Sequence, residues 1–301
     1  MHYTTTYYQC LNVIGNRMGK PTLPFVETMI TQVCNLSCTG CTNYSDLQHE
    51  GYVPWSQGRD WIESWLERVD IADFGILGGE PTVSPEVNDW ILGLRQVLPK
   101  AQIRFTTNGL LLNKKFDIVE NMADVGNCVF KIAFHQDNPE LEEVVKRIFD
   151  MYDWEPVVEY GVHRWKTKNN FRFHVKRPDT FWKTFKGPYE DMAPHTSIPS
   201  DAFDICCQQT CPLLHNGRIY KCSTSGLLAE TLEKFNTPNS EQWQQYLQQG
   251  MGADCSDQEL TTWLENFGKP ANVCGMCPSP TDLDSKIIHL ENVSTRKIKW
   301  K

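Results

Sequence analysis

Apolar positions in the first half of this 301-residue chain alternate between two rhythms. Pro24 to Thr31, Phe74 to Leu77, Ile103 to Thr107 and Cys128 to Phe134 are short apolar runs, as strands would be. Between them, residues recur at helical spacing: Trp61, Ile62, Trp65, Leu66 and Val69 within Pro54 to Val69, then Val87, Trp90, Ile91, Leu94 and Leu98. Ser84-Pro85 offers that second helix an N-cap and a first-turn proline, and Lys114 to Ala123 and Pro139 to Met151 continue the series. Strands alternating with helices predict an α/β fold with a parallel sheet, whose functional residues gather at the C-terminal strand ends. Val157 to Val162 and Phe171 to Val175 are expected as strands five and six, which makes a partial (β/α)6 TIM-type barrel.

The rhythm changes near residue 200, so we expect a barrel over 1–200 and a small Cys-rich domain over 201–301. Leu213 to Tyr220 reads as a hairpin around Asn216-Gly217, a pair suited to a tight turn with two positive φ angles. Ser240 to Gln249 and Asp257 to Phe267 read as helices beside it.

Composition narrows the function. With 29 basic against 37 acidic residues and a formal charge of −8, the chain is no general nucleic-acid binder. The N-terminal residues lack a basic region and an apolar signal core, and no apolar run approaches the ~20 residues that cross a bilayer. A cytoplasmic location with no membrane partner is therefore expected, with the twelve cysteines serving metals and not disulfides.

The most informative of these are Cys34, Cys38 and Cys41. Gaps of three and two residues let one loop wrap a compact object with three soft thiolates, which leaves one iron of a cubane cluster open for chemistry. A zinc knuckle is the alternative, although no fourth ligand follows at closing distance and His49 is poorly placed for one.

Together with Gly78-Gly79-Glu80-Pro81 and Thr106-Thr107-Asn108-Gly109 at later strand ends, this loop resembles the radical S-adenosylmethionine (radical SAM) superfamily. The resemblance implies a 4Fe-4S cluster whose open iron is chelated by S-adenosylmethionine. Reductive cleavage would then yield a 5′-deoxyadenosyl radical that abstracts hydrogen from a substrate. It further implies that the carbonyls of Gly78 and Gly79 accept the methionyl ammonium protons, that Glu80 and Pro81 hold the bend, and that Thr106, Thr107 and Asn108 lie near the ribose or substrate. His135, after strand four, is a further candidate contact. Family members usually carry an aromatic residue before the third cysteine. Here that position is Gly40, so its contact near the adenine must come from elsewhere. Tyr160, His163, Arg164, His174, Lys176 and Arg177 form a basic and aromatic group that is either a solvated face or a site for an anionic or sugar-bearing substrate.

The second cysteine group, with Gly217-x4-Cys222 and Cys274-x2-Cys277, resembles the SPASM and twitch extensions of the same superfamily. One CxxC pair fits the shorter twitch form, which implies one auxiliary 4Fe-4S cluster held by Cys222, Cys274 and Cys277 with Cys206 or Cys211, and Cys207 behind them. A zinc centre with four thiolates remains open at this site. Cys255 is a spare ligand, a catalytic hydrogen-atom donor or a buried thiol.

The expected function is hydrogen abstraction from a small polar or anionic substrate, as oxidation (dehydrogenation) or epimerisation, with an external one-electron reductant resembling flavodoxin or ferredoxin. Peptide modification is the alternative. An iron-sulfur electron carrier or a zinc-stabilised binding protein is the non-catalytic one.

Overall fold

The computed structural model describes residues 19–47, 49–159, 162–178, 180–237, 240–288 and 293–295. Tyr160 lies outside them, and of His163 only the backbone is described.

A ten-stranded sheet organises the molecule. Its strands are β1 (Val26–Met29), β2 (Asp73–Leu77), β3 (Gln102–Thr107), β4 (Cys128–Ala133), β5 (Glu155–Glu159), β6 (Val162–Lys166), β7 (Phe171–Lys176), β8 (Leu213–His215), β9 (Arg218–Tyr220) and β10 (Met251–Gly252). They lie in the spatial order β10-β9-β8-β1-β2-β3-β4-β7-β6-β5. Neighbours from β8 through β1, β2, β3 and β4 to β7 are parallel, and the outer strands at each end are antiparallel. This is a mixed α/β fold with a large, mainly parallel sheet of the partial TIM-barrel kind.

Four helices follow the first four strands: α1 (Trp55–Leu66), α2 (Val87–Val97), α3 (Asp117–Val125) and α4 (Pro139–Met151). The stripes expected from sequence are the buried ones, with Ile62, Trp65, Trp90, Ile91 and Leu94 almost fully enclosed. Each large apolar side chain so buried contributes roughly 1.5–3 kcal/mol before the entropy of ordering it is subtracted. Gly58 is required for this packing, since a Cβ there would sit 1.9 Å from the Trp90 ring. The helix after Ser84-Pro85 begins only at Val87, because Glu80 to Ser84 first make a 3-10 turn. Asn138 caps α4 by accepting from the Leu141 N–H, as its position before Pro139 favours.

The expected fifth barrel strand differs from the structure. Val157 to Val162 spans the end of β5 and the start of β6, an antiparallel hairpin attached beyond β7. Only two residues separate β5 from β6, too few for the crossover that a parallel pair requires. Phe171–Lys176 is therefore the fifth parallel strand, and the sixth comes from the C-terminal half of the chain. The β8 strand lies beside β1, where the Glu27 N–H donates to the Pro212 carbonyl at 3.0 Å and the Thr28 hydroxyl to the Leu214 carbonyl at 2.8 Å. The turn from β8 to β9 has the expected geometry, with φ of 50° at Asn216 and 73° at Gly217.

Two apolar cores result, and neither follows a boundary at residue 200. The first lies under α1–α4 and takes in Leu214, Ile219 and Leu260. The second joins Met29, Tyr44 and Leu47 to Phe185, Leu213, Leu228, Trp243 and Val273. Among the described residues no helix is long and apolar enough to cross a membrane.

Candidate active site

The two faces of the sheet carry different chemistry. On the helix side, Phe74, Ile76, Phe105, Phe130 and Phe171 are buried, with the Phe105 and Phe130 rings stacked at 5.4 Å. On the opposite side the register aligns Glu27 with Gly75 and Arg104, and one row higher Thr106 with Lys131 and His174. This inner face is polar and rises to a cavity of about 510 Å3 at the C-terminal strand ends.

Cys34, Cys38 and Cys41 line that cavity together with Gly78, Gly79, Glu80, Thr106, Thr107, Asn108 and His135. Pro81 is buried behind them at the start of the 3-10 turn. Hydrogen bonds tie the three motifs to one another. The Gly79 and Glu80 N–H groups donate to the Thr31 and Val33 carbonyls, both at 2.8 Å, which docks the end of β2 beneath the cysteine loop. A Cβ on Gly79 would lie 2.5 Å from the Val33 carbonyl oxygen, so this close approach needs glycine. The Glu80 carboxylate, with no exposed surface, accepts from the Thr82 N–H and hydroxyl, the Thr107 hydroxyl at 2.6 Å and the Asn108 N–H at 2.7 Å. Burial raises its pKa, and those donors oppose the rise. The Asn108 amide then donates to Asn35 at 2.7 Å, beside Cys34.

The thiols sit in desolvated surroundings. Burial pushes Cys34 well above the ordinary thiol range, with Glu80 adding to it. Cys41 is pushed up to about 11 by burial and Asp46, against the N–H groups of Asn43, Ser45 and Asp46. Gly40 turns the loop with φ of 71°, and a Cβ there would meet the Lys183 side chain at 3.0 Å. An aromatic side chain is thus absent where Lys183 packs, while Phe181 and Trp182 of that same segment line the cavity.

The second cysteine group opens onto the same space. Cys206, Cys207, Cys222 and Cys277 line the cavity, whereas Cys211 and Cys274 do not. Cys206 is raised by burial and then by the charges of Cys207, Cys222 and Cys274, and Cys277 by burial and then by Cys222, Cys206, Cys274 and Cys207. Cys206 and Cys277 thus each lie within electrostatic reach of Cys207, Cys222 and Cys274. Cys211 is raised by burial first, then by Glu27, Cys207 and Cys206. Cys255 lies elsewhere, in a groove of about 900 Å3 beside Asp257–Glu265, where its carbonyl accepts from Arg68 at 2.7 Å. It does not line the cavity that the other thiols share.

The three thiols of the first loop, opening onto one cavity with the strand-end motifs, suit an iron-sulfur cluster with one open iron. Among the described residues, no three His, Cys, Asp or Glu side chains converge closely enough to hold one metal ion. The cavity volume falls within the roughly 300–1,000 Å3 of small-molecule sites.

Sequence reading missed several of the lining residues. Lys131 is the single charged residue in an otherwise apolar strand, and Phe181 and Trp182 belong to no motif. Lys176 lines the cavity, while Arg177 turns outward to Glu142 at 2.8 Å and to Asp137, with its guanidinium over the Phe134 ring.

Residues 28–160 match the model of the radical SAM superfamily. The chain is similar to mycofactocin maturase MftC of Mycobacterium tuberculosis, at 35% identity over 124 residues, which are 40% of this chain and 30% of that protein. It is also similar to a probable GTP 3′,8-cyclase of Saccharolobus islandicus, at 26% identity over 144 residues, or 48% of this chain and 44% of that protein. The chain thus spans less than half the length of these relatives. A crystal structure of BtrN in complex with AdoMet and 2-DOIA covers 87% of this chain and 96% of its own, with 12% identity and a TM-score of 0.49. The cysteine loop, the strand-end motifs bonded to it and the match of residues 28–160 together identify a radical SAM domain in this chain.

Proposed function

We propose that this protein is a radical SAM enzyme that modifies an anion-bearing substrate, with a peptide as the favoured class. The observation that carries the reading is that both cysteine groups open onto one cavity with the strand-end motifs. When bound, a 4Fe-4S cluster and S-adenosylmethionine supply a 5′-deoxyadenosyl radical there. Cys34, Cys38 and Cys41 would hold that cluster, Asn108 braces the loop through Asn35, and Glu80 keeps Thr107 and Asn108 in place. Phe181 and Trp182 provide the aromatic surface that Gly40 does not, and His135 faces the same space.

Cys206, Cys222, Cys274 and Cys277 would hold an auxiliary 4Fe-4S cluster as four closing ligands, which suits it to receive an electron from the substrate and so favours oxidation. Similarity to a maturase supports the peptide class. Epimerisation is the second reading. One observation favours it: Cys207, which this assignment leaves without a cluster, lines the cavity, where a thiol would be placed to return a hydrogen. The barrel and the Cys-rich region would then act as one catalytic unit, driven by an external one-electron reductant.

The test is anaerobic reconstitution followed by reduction with dithionite. The wild type is expected to form 5′-deoxyadenosine from S-adenosylmethionine, and the Cys34→Ala, Cys38→Ala, Cys41→Ala variant to form none above background. Equal formation in both proteins would overturn the site.

A further inference from the structure

Beneath the cavity, the inner face of the sheet concentrates positive charge in a chain that is acidic overall. Arg104, Lys131, Arg172 and Lys176 all come from strands β3, β4 and β7. The register puts them on the same side of the sheet. Arg104 and Arg172 flank Val129 in one row, Lys131 lies one row higher between Thr106 and His174, and Lys176 pairs with Ala133 above that. Gly75 makes room for this layer, since a Cβ there would sit 2.8 Å from the Glu27 Cβ.

Most of the negative charge nearby is already engaged. Asp73 is bonded to Arg104. Of the two carboxylates that line the cavity, Glu80 is held by Thr82, Thr107 and Asn108, and Asp46 accepts from the Tyr189 hydroxyl. Glu27 lies below, beside Lys131 and Arg104, where burial pushes its pKa up to about 8 against those two cations. Lys131 and Lys176 line the cavity, and among the described residues neither ammonium group has a hydrogen-bond or ion-pair partner. Lys131 is held below the ordinary lysine value by burial first and by Lys176 next, which places the two groups within electrostatic reach of each other.

We infer that Lys131 and Lys176 form the anion-recognition site of the substrate cavity, taking a carboxylate or phosphate group and so positioning the substrate under the cysteine loops. This rests on the reading of the cavity as a radical SAM active site. Two ammonium groups on adjacent strands, one half-buried and one at the rim, would bind one oxyanion between them through charge-assisted hydrogen bonds. Cys211 and Cys207 also face Lys131, and an arriving oxyanion would further offset the burial of that ammonium, which makes the pair a specificity device.

Equilibrium binding to the reconstituted holoenzyme with S-adenosylmethionine, measured by calorimetry, tests this with three probes. They are acetyl-Gly-Glu-Gly-amide, acetyl-Gly-phosphoserine-Gly-amide and the neutral acetyl-Gly-Gln-Gly-amide. One or both charged peptides are expected to bind at least about tenfold tighter than the neutral one. That advantage should shrink to near unity in Lys131→Met and in Lys176→Met, recover in part in Lys131→Arg, and persist in Lys100→Met at the far end of β3. The tighter of the two charged peptides identifies the anion. Lys176 is exposed at the rim, so its variant keeps the test open if Lys131→Met fails to fold. Equal binding of the glutamine peptide, or an undiminished advantage in both Lys→Met variants, would overturn the assignment. Wild-type 5′-deoxyadenosine formation separates the two levels. Its absence removes the radical SAM reading itself, whereas its presence with unchanged anion binding removes this inference alone.

Discussion

The two cysteine groups face one cavity but are built in opposite ways. The first is local: Cys34, Cys38 and Cys41 lie on one loop, and the hydrogen bonds that fix it come from β1, β2 and β3 ends a few ångströms away. The second draws on three distant segments, at Cys206 and Cys207, Cys222, and Cys274 to Cys277, which come together through tertiary structure such as the pairing of β8 with β1. A local group declares its ligands by spacing. A group gathered by tertiary structure declares only that cysteines are abundant, and the fold chooses among them.

That contrast can be broken most sharply by removing thiols one at a time. After reconstitution, Cys206→Ser should lower iron from about eight to about four per chain, while Cys211→Ser should keep about eight. Mössbauer spectra and iron content decide this, and equal losses in the two variants would mean that the four-thiol set is misassigned. Next in size is Glu80→Ala. It would strand the Thr82, Thr107 and Asn108 donors beneath the first group, costing about 3 kcal/mol or more. Thermal unfolding should show that loss, and iron should fall selectively at the three-cysteine loop with the second group retained.

The smallest effect concerns the charged inner face that lies below both groups. Burial, with Arg164, Arg104, Lys131 and Arg172 around it, holds the His174 imidazole down to about 4 from an ordinary 6.5. A histidine whose folded pKa is lowered binds more protons when unfolded. Its contribution to stability is therefore present above pH 6.5 and is lost as the pH falls toward 4. His174→Gln should flatten the denaturation midpoint across that window by about 1 kcal/mol, after allowance for solvent screening. An unchanged slope would mean that other groups dominate the acid limb.

Much of this architecture was legible because local signals and tertiary structure agree. The helical stripe of Val87, Trp90, Ile91, Leu94 and Leu98 is buried as its spacing requires, and Asn138-Pro139 starts α4 where capping chemistry expects. The errors arise where pairing is non-local. Val157 to Val162 has the composition of a strand, yet composition does not reveal whether a strand runs parallel. The three-residue β8 carries too little signal to be recognised as the sixth member of the parallel set. Lys131 escaped notice because one lysine among apolar neighbours gains meaning only when the register turns it inward.

The pairing of β8 with β1 has a mechanical side. Those backbone hydrogen bonds continue the barrel's own sheet into the Cys-rich region, so Cys222, just past β9, and Cys34, just past β1, ride on a common girder. The spacing between the two thiol groups is thereby set by the pitch of adjacent strands and not by a linker. The opposite wall of the cavity, the segment that carries Phe181 and Trp182, hangs on a separate beam, its antiparallel pairing with Lys286–Ile288.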